Sequence, residues 1–267
     1  VLMTSFVSQE EYARRGAFIL MPEQFDFLAY RILLGSGSIV PNAFMITILR
    51  ALIGTFLNLA FTATLAYGLT RRNLPGRTLI TLYVFIPMIF SGGLIPTFIL
   101  MDTLRLLNTF WALILPGLVS VWNLLIMRNF FMALPYELEE AAIVDGASPP
   151  VILWKIILPL SLPSISTIGL FYAVWHWNSW FDAAIYLRDM SLMPVQLILR
   201  SVMMATMQYG GQGFLSDPSA AMGYEVLPPA RAIQGAMIMI TALPILCVYP
   251  FIQRYFVKGA LIGSVKG

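Results

Sequence analysis

Charged side chains are scarce in this sequence: Asp, Glu, Lys and Arg make up 11% of 267 residues, against roughly 25% in an average globular protein. A soluble domain of this length could not cover its surface with so few. Lysine is the rarest, at positions 155, 258 and 266 only, and none of the three follows a glycine run. No Gly-x-x-x-x-Gly-Lys-Ser/Thr phosphate loop is therefore present, which excludes a P-loop nucleotide site in this sequence. A single cysteine, Cys247, excludes an intrachain disulfide. A single histidine, His176, excludes a His-Glu-x-x-His zinc site, and no Gly-x-Ser-x-Gly nucleophile turn occurs. The net charge of +3 is a small imbalance of 16 basic over 13 acidic residues. Nucleic acid is not an expected partner, because phosphate binding needs clustered Lys and Arg on one face.

What the sequence holds in quantity is apolar surface: 59% hydrophobic residues, with 18 Phe, 11 Tyr, 6 Trp and 15 Met, and a mean hydropathy of +0.81. The expected fold class is all-α, a polytopic membrane helical bundle. A helix needs about 20 mostly apolar residues to cross the hydrocarbon core. Five stretches qualify: Ala43–Leu69, Leu79–Met101, Phe110–Met127, Ser164–Leu187 and Ala232–Tyr255. Counting Lys and Arg in the connections gives eight on the side of Arg71, Arg128 and Lys258, and seven over the longer segments of the other side. That bias places the C-terminus in the cytoplasm. It also leaves residue 1 outside, where Val1 to Val7 reads like the exit of a helix, so a sixth span is expected to precede it. The expected organisation is an external segment 1–42 and a transmembrane domain 43–267, with a cytoplasmic loop at 128–163 and an external loop at 188–231.

The cytoplasmic loop reverses the charge rule of its own side. Glu137, Glu139, Glu140 and Asp145 fall within nine residues, and anionic headgroups would repel them. Pro135 suits a first helical turn, Glu137 and Glu139 favour the positive end of the dipole, and Gly146 can adopt the left-handed conformation that ends a helix. Ser148 followed by Pro149 and Pro150 opens a second helix through Trp154 and Ile157, up to Pro159 and Pro163. Small residues at Ala141, Ala142 and Ala147 allow another backbone close approach. Two readings stand: an amphipathic loop packed under its own bundle, or a docking surface for a cytoplasmic protein.

Glu140-Ala141-Ala142, Gly146, and Ile156-x-Leu158-Pro159 resemble the EAA signature of permease subunits of ABC importers, matching it at every position. Asp145-Gly146-Ala147 and the tail Gln253 to Gly259 resemble carbohydrate importers of the maltose-permease type. The runs Ser91 to Pro96, Asn108 to Gly117 and His176 to Phe181 are similar to a narrower branch that includes alginate and rhamnogalacturonan importers. This resemblance implies a type I ABC importer permease fold. It also implies a non-catalytic subunit working with a second permease, expected to be a different chain, two cytoplasmic ATP-binding subunits, an external solute-binding protein and an oligosaccharide. No cofactor is expected in this chain, ATP and Mg being bound by the partner ATPases. Glu137 to Ala147 would be the coupling helix, with Glu140 a partner for an ATPase Arg and Gly146 setting the angle to the next helix.

Intramembrane polar groups are the candidates for a pathway, since each needs a partner or a water-filled cavity. Arg50 and Asp182 lie at similar expected depth. They could form a buried ion pair or snorkel, or Arg50 could face the pathway and favour an anionic sugar. Tyr172, Trp175, His176, Trp177, Asn178, Ser179 and Trp180 cluster within little more than two turns. They could form a sugar-binding wall or an interfacial aromatic belt. Asn58 and Asn123 read as helix-to-helix hydrogen-bond partners. The external segment, Met-rich at Met203, Met204 and Met207 and Gly-rich at Gly210, Gly211 and Gly213, suggests a loop that touches a binding protein. Glu10, Glu11, Arg14 and Arg15 offer a second docking surface. The alternatives are an ion-coupled secondary transporter, which would need its own coupling groups, and an intramembrane enzyme, which would have to work with one His and one Cys.

Overall fold

A computed structural model describes residues 1–16, 19–71, 74–209 and 228–264, with the backbone alone at 206–209 and 248–264. Every regular element among the described residues is helical. After a 3-10 turn at Met3–Phe6 come α1 (Gln9–Arg15), α2 (Leu28–Leu34) and α3 (Val40–Thr70). α4 (Arg77–Ile89) and α5 (Leu94–Thr103) follow, then 3-10 turns at Phe110–Leu113 and Leu115–Gly117, and α6 (Val121–Met132). The acidic loop forms α7 (Tyr136–Val144), α8 (Pro149–Ile152), a π-helical segment at Leu153–Ile157 and α9 (Leu158–Leu160). α10 (Leu162–Asn178), α11 (Phe181–Tyr186), a 3-10 turn at Met190–Leu192, α12 (Val195–Tyr209) and α13 (Ala230–Ser264) complete the chain.

The all-helical membrane architecture is as expected, but the spans are not uniform rods. α3, at 31 residues, and the Ala230–Cys247 part of α13 are long and apolar enough to cross a membrane unbroken. Three more candidates are bent pairs: α4 with α5 at 118°, Phe110–Gly117 with α6 at 55°, and Pro149–Leu160 with α10 at 87°. Five crossings result only if each bent pair counts as one. The breaks have local causes. Pro87 interrupts the hydrogen bonding of α4, and Gly93 sits at φ +83° ahead of α5, where a Cβ would be strained. Pro116 sits in the 3-10 turn ahead of α6. The expected fourth span also stops early: α10 ends at Asn178 and the chain resumes as the six-residue α11. Part of the expected external loop is the 15-residue helix α12, which carries Met203 and Met204. Gly210, Gly211 and Gly213 lie outside the described residues, as does the side chain of Met207.

Two compact units divide the chain: residues 1–48 with 178–250, and residues 49–177 with 251–267. In the first, Ala29 and Leu33 of α2, Val40 and Ala43 of α3, Val195, Ile198 and Val202 of α12, and Ala232, Ile233, Ala236 and Met237 of α13 form the core. Thr47 ties two of these helices, its hydroxyl accepting the first N–H of α12 from Val195 at 2.8 Å. The charged run on α1 differs from expectation. Glu11 is buried, accepting from Arg15 at 2.6 Å and from the Glu23 N–H at 3.0 and 3.1 Å, while Arg14 pairs with Glu23 at 3.0 Å. These charges clamp the following loop onto α1, so Glu11 offers no docking surface.

The second unit has its core between Ala63, Ala66, Tyr67 and Leu69 of α3, Leu124, Met127 and Phe131 of α6, Ala142 of α7, Ile152, Leu153 and Ile157, and Ile168 and Tyr172 of α10. The acidic loop is thus built into the same core as the membrane helices.

Candidate functional site

α7 is a short helix with well-defined ends. Pro135 stands at its N-cap, one position ahead of the first turn, and Glu137 and Glu139 occupy that turn. Its C-terminus closes with Gly146 at φ +80°. The Gly146 N–H donates to Ile143 O at 3.0 Å and the Ala147 N–H to Ala142 O at 2.9 Å, the paired bonds of a Schellman end. After Ser148, α8 leads into the π segment. Its wider register accommodates Pro159, which has no N–H to give to a standard helical ladder. Ile156 and Leu158 pack on the core, whereas Pro159 is exposed.

One strip of α7 is covered, while Leu138 and Ile143 beside it remain 43% and 48% exposed. Ala142 is buried and Glu139 nearly so, its carboxylate paired with the Arg71 guanidinium just beyond α3. Arg71 also lies over the Tyr67 ring at 4.4 Å. Burial lowers the Arg71 pKa, partly offset by Tyr136, and burial raises that of Glu139. On the opposite face Tyr136, Glu140 and Val144 form an i, i+4, i+8 ridge in solvent, flanked by Glu137 and Ala141. Val144 is 86% exposed and Tyr136 59%. Asp145 and Gly146 are exposed at the end of the ridge, and Ala147 is half-buried. The helix is thus acidic, carries bare apolar side chains outward, and is held from behind by an ion pair and an alanine. Sequence reasoning chose Glu140 and passed over Glu139, since nothing in the motif says which carboxylate turns inward.

A buried polar cluster lies in the same unit. Asn58 of α3 donates through Nδ2 to Gly117 O at 2.9 Å and turns Oδ1 to His176 Nε2 at 3.1 Å. Because Nδ2 must face the carbonyl, Oδ1 accepts and Nε2 carries the imidazole proton. Four residues further along α3, Thr62 shares a hydrogen bond with the Tyr172 hydroxyl at 2.8 Å, and that hydroxyl accepts the Ser120 N–H at 3.1 Å. Gly117 and Ser120 flank the break before α6, so two side chains serve the backbone groups that the break releases. Asn58 is the helix-to-helix partner expected of it. Glycines make room for the rings: a Cβ on Gly54 would stand 2.3 Å from His176 Nε2, and one on Gly117 2.4 Å from Trp175.

The remaining candidates are distributed between the units. Arg50 is fully buried, 6.0 Å from the Trp175 ring, in the unit that holds Tyr172, His176 and the half-buried Trp177. Asn178, Trp180 and Asp182 belong to the other unit. There Asn178 is exposed, the Arg200 guanidinium lies 3.7 Å over the Trp180 ring, and Asp182 accepts the Ala183 N–H at 2.9 Å. Among the described residues no group of His, Cys, Asp and Glu is arranged to hold a metal ion.

Comparison with known proteins gives a consistent result. Residues 39–262 match the family described as binding-protein-dependent transport system inner membrane component. The polygalacturonan/rhamnogalacturonan transport system permease protein YtcP of Bacillus subtilis is 43% identical over 267 residues, covering all of this chain and 91% of the relative. The Bacillus subtilis protein LplC is also 43% identical, over 270 residues, with 88% of its length covered. Among solved structures, a bacterial ABC transporter involved in the import of the acidic polysaccharide alginate superposes with a TM-score of 0.83 at 29% identity. That match covers 95% of this chain and 88% of the other.

Proposed function

We propose, because this chain belongs to the family of binding-protein-dependent transport system inner membrane components, that it forms one wall of an ATP-driven importer for an acidic oligosaccharide. As an ABC permease subunit of type I fold it is non-catalytic. Two cytoplasmic ATP-binding subunits would bind ATP and Mg, a second permease of different sequence would form the other wall, and an external solute-binding protein would deliver the sugar. The chain would lie in the inner membrane with its C-terminus in the cytoplasm.

The observation that carries this reading is α7, covered along one strip and bare along its ridge. Its outer ridge, with Glu137, Glu140, Ala141, Asp145 and Gly146, would dock on an ATPase, while Ala142, Ala147, Ile156, Leu158 and Pro159 fix the angle of the double helix. Closure of the ATPase pair can bias the permease only if this contact differs in energy between inward-open and outward-open states. Relatives named for polygalacturonan/rhamnogalacturonan transport and for alginate import support an anionic sugar. Arg50, Tyr172, His176, Trp177, Asn178, Trp180 and Asp182 are the candidate pathway residues. Arg50 is covered in this conformation, so alternating access would have to bare it to one side.

The test is uptake by the intact importer in proteoliposomes, loaded with binding protein and oligogalacturonate. Glu140→Lys is expected to insert normally and to break the link between ATP hydrolysis and uptake. Normal uptake per ATP by that variant would overturn the docking role of the ridge.

A further inference from the structure

The cytoplasmic end of α3 is clasped from three directions. Leu69 O is one of the last carbonyls of the helix, which no helical N–H can reach. It receives Arg77 Nε from the start of α4 at 3.1 Å and Arg128 Nε from α6 at 3.4 Å. Two guanidinium charges also complement the negative end of the α3 dipole. Leu69 itself is 1% exposed. Arg71, two residues on, lies over the Tyr67 ring and pairs with Glu139. The side chains of that pair are 24% and 12% exposed, so solvent screens them far less than a surface pair. From this end α3 runs unbroken to Arg50 within the same unit, about 30 Å at the helical rise per residue. Along it lie Thr62, Asn58 and Gly54, which contact Tyr172 and His176 of α10.

We infer that the Arg71–Glu139 pair is the joint through which α7 moves α3, with Arg77 and Arg128 gripping the helix end so that it moves as one piece with α4 and α6. Arg71 and Glu139 are thus positioning residues: neither meets the sugar, and Glu139 faces away from the docking ridge. Two packed faces can slide past each other on Ala142 alone, since a methyl group has no directional partner. A paired guanidinium and carboxylate resist that sliding, because displacement leaves two partly buried charges without each other. The inference rests on the proposed docking of α7 to an ATPase and deepens it.

The test is charge exchange in the intact importer, reading both uptake per ATP hydrolysed and copurification of the ATPase subunits. Arg71→Glu and Glu139→Arg are each expected to lower uptake per ATP about tenfold while the ATPases stay bound. The double exchange Arg71→Glu with Glu139→Arg is expected to return it to within about threefold of the parent, which a merely disrupted fold would not allow. Unchanged uptake per ATP in either single variant, or no rescue by the exchange, would overturn the joint. Loss of the ATPases in Glu139→Arg would also overturn it, by making Glu139 part of the docking surface. Failure of the docking reading registers separately, as normal coupling in Glu140→Lys with the exchange results unaffected.

Discussion

Replacing Gly54 by alanine puts a methyl group where an imidazole already lies. The added Cβ would stand 2.3 Å from His176 Nε2, 2.6 Å from Cε1 and 2.7 Å from Cδ2. To restore ordinary contact the ring must retreat by about 1 Å, yet it is fully buried and tied to Asn58 Oδ1 at 3.1 Å. Overpacking of this kind costs roughly 1–3 kcal/mol, and an interhelical hydrogen bond lost within a membrane adds on the order of 0.6 to 1.7 kcal/mol. The expected loss is about 2–4 kcal/mol. It is read as the thermal midpoint of the importer purified in mild detergent. Gly68→Ala is the control on the same helix, because nothing lies within 4 Å of its would-be Cβ, and it is expected to be neutral or slightly stabilising. In a His176→Ala background the Gly54→Ala penalty should vanish, since the ring that opposes the methyl group is gone. A midpoint for Gly54→Ala equal to that of Gly68→Ala would refute the reasoning.

Three other outcomes follow from the same geometry. Tyr172→Phe leaves the Ser120 N–H and the Thr62 hydroxyl without their shared partner, and should lower the midpoint by the equivalent of about 1–3 kcal/mol; an unchanged midpoint would show that another group serves them. Gly146→Ala forces a Cβ into φ +80°, a strain of roughly 1–2 kcal/mol. It should reduce uptake per ATP with the membrane domain still inserted, as measured by paired ATPase and transport assays. Arg50→Met should depress uptake of an acidic oligosaccharide at least tenfold more than uptake of a neutral one. Equal losses for both would remove Arg50 from charge selection.

The acidic double helix was legible in sequence because its signals are local: glutamates in a first turn, a glycine at the stop, prolines where a new helix begins. Each acts within four residues, and each stands close to where those rules put it. The membrane spans were legible as apolar runs but not as bent pairs. Hydropathy averaged over about 20 residues does not register a turn such as Ser91-Gly92-Gly93, although Pro87 and the glycines were there to be read. The inward turn of Glu139 was out of reach for a different reason. Adjacent helix positions differ by 100°, so which of Glu139 and Glu140 meets Arg71 depends on how Ala142 seats against the core. The partner of His176 was likewise hidden: its burial could be inferred from depth, but Asn58 lies 118 positions away.

A broken helix in a bilayer needs partners for the N–H and C=O groups that the break releases, because lipid offers none. At the break before α6 those partners are present: Asn58 takes Gly117 O and Tyr172 takes the Ser120 N–H. Tyr172, one of the candidate pathway residues, is therefore also, together with Asn58, a cap that makes this bend stable. At the break between α4 and α5 the help is short-range, with Ser91 Oγ accepting the Gly93 N–H at 3.2 Å and Thr97 Oγ1 donating to Gly93 O at 2.7 Å. Residues around it are exposed, among them Ile89, Phe90 and Ile95 at 72–74%. Backbone groups of this turn are also met locally, with the Phe90 N–H donating to Ile86 O at 2.8 Å and the Thr97 N–H to Gly93 O at 3.4 Å. The same rule that explains why Asn58 and Tyr172 are buried thus separates two kinds of break: one capped by side chains reaching from other helices, the other by hydroxyls of its own turn.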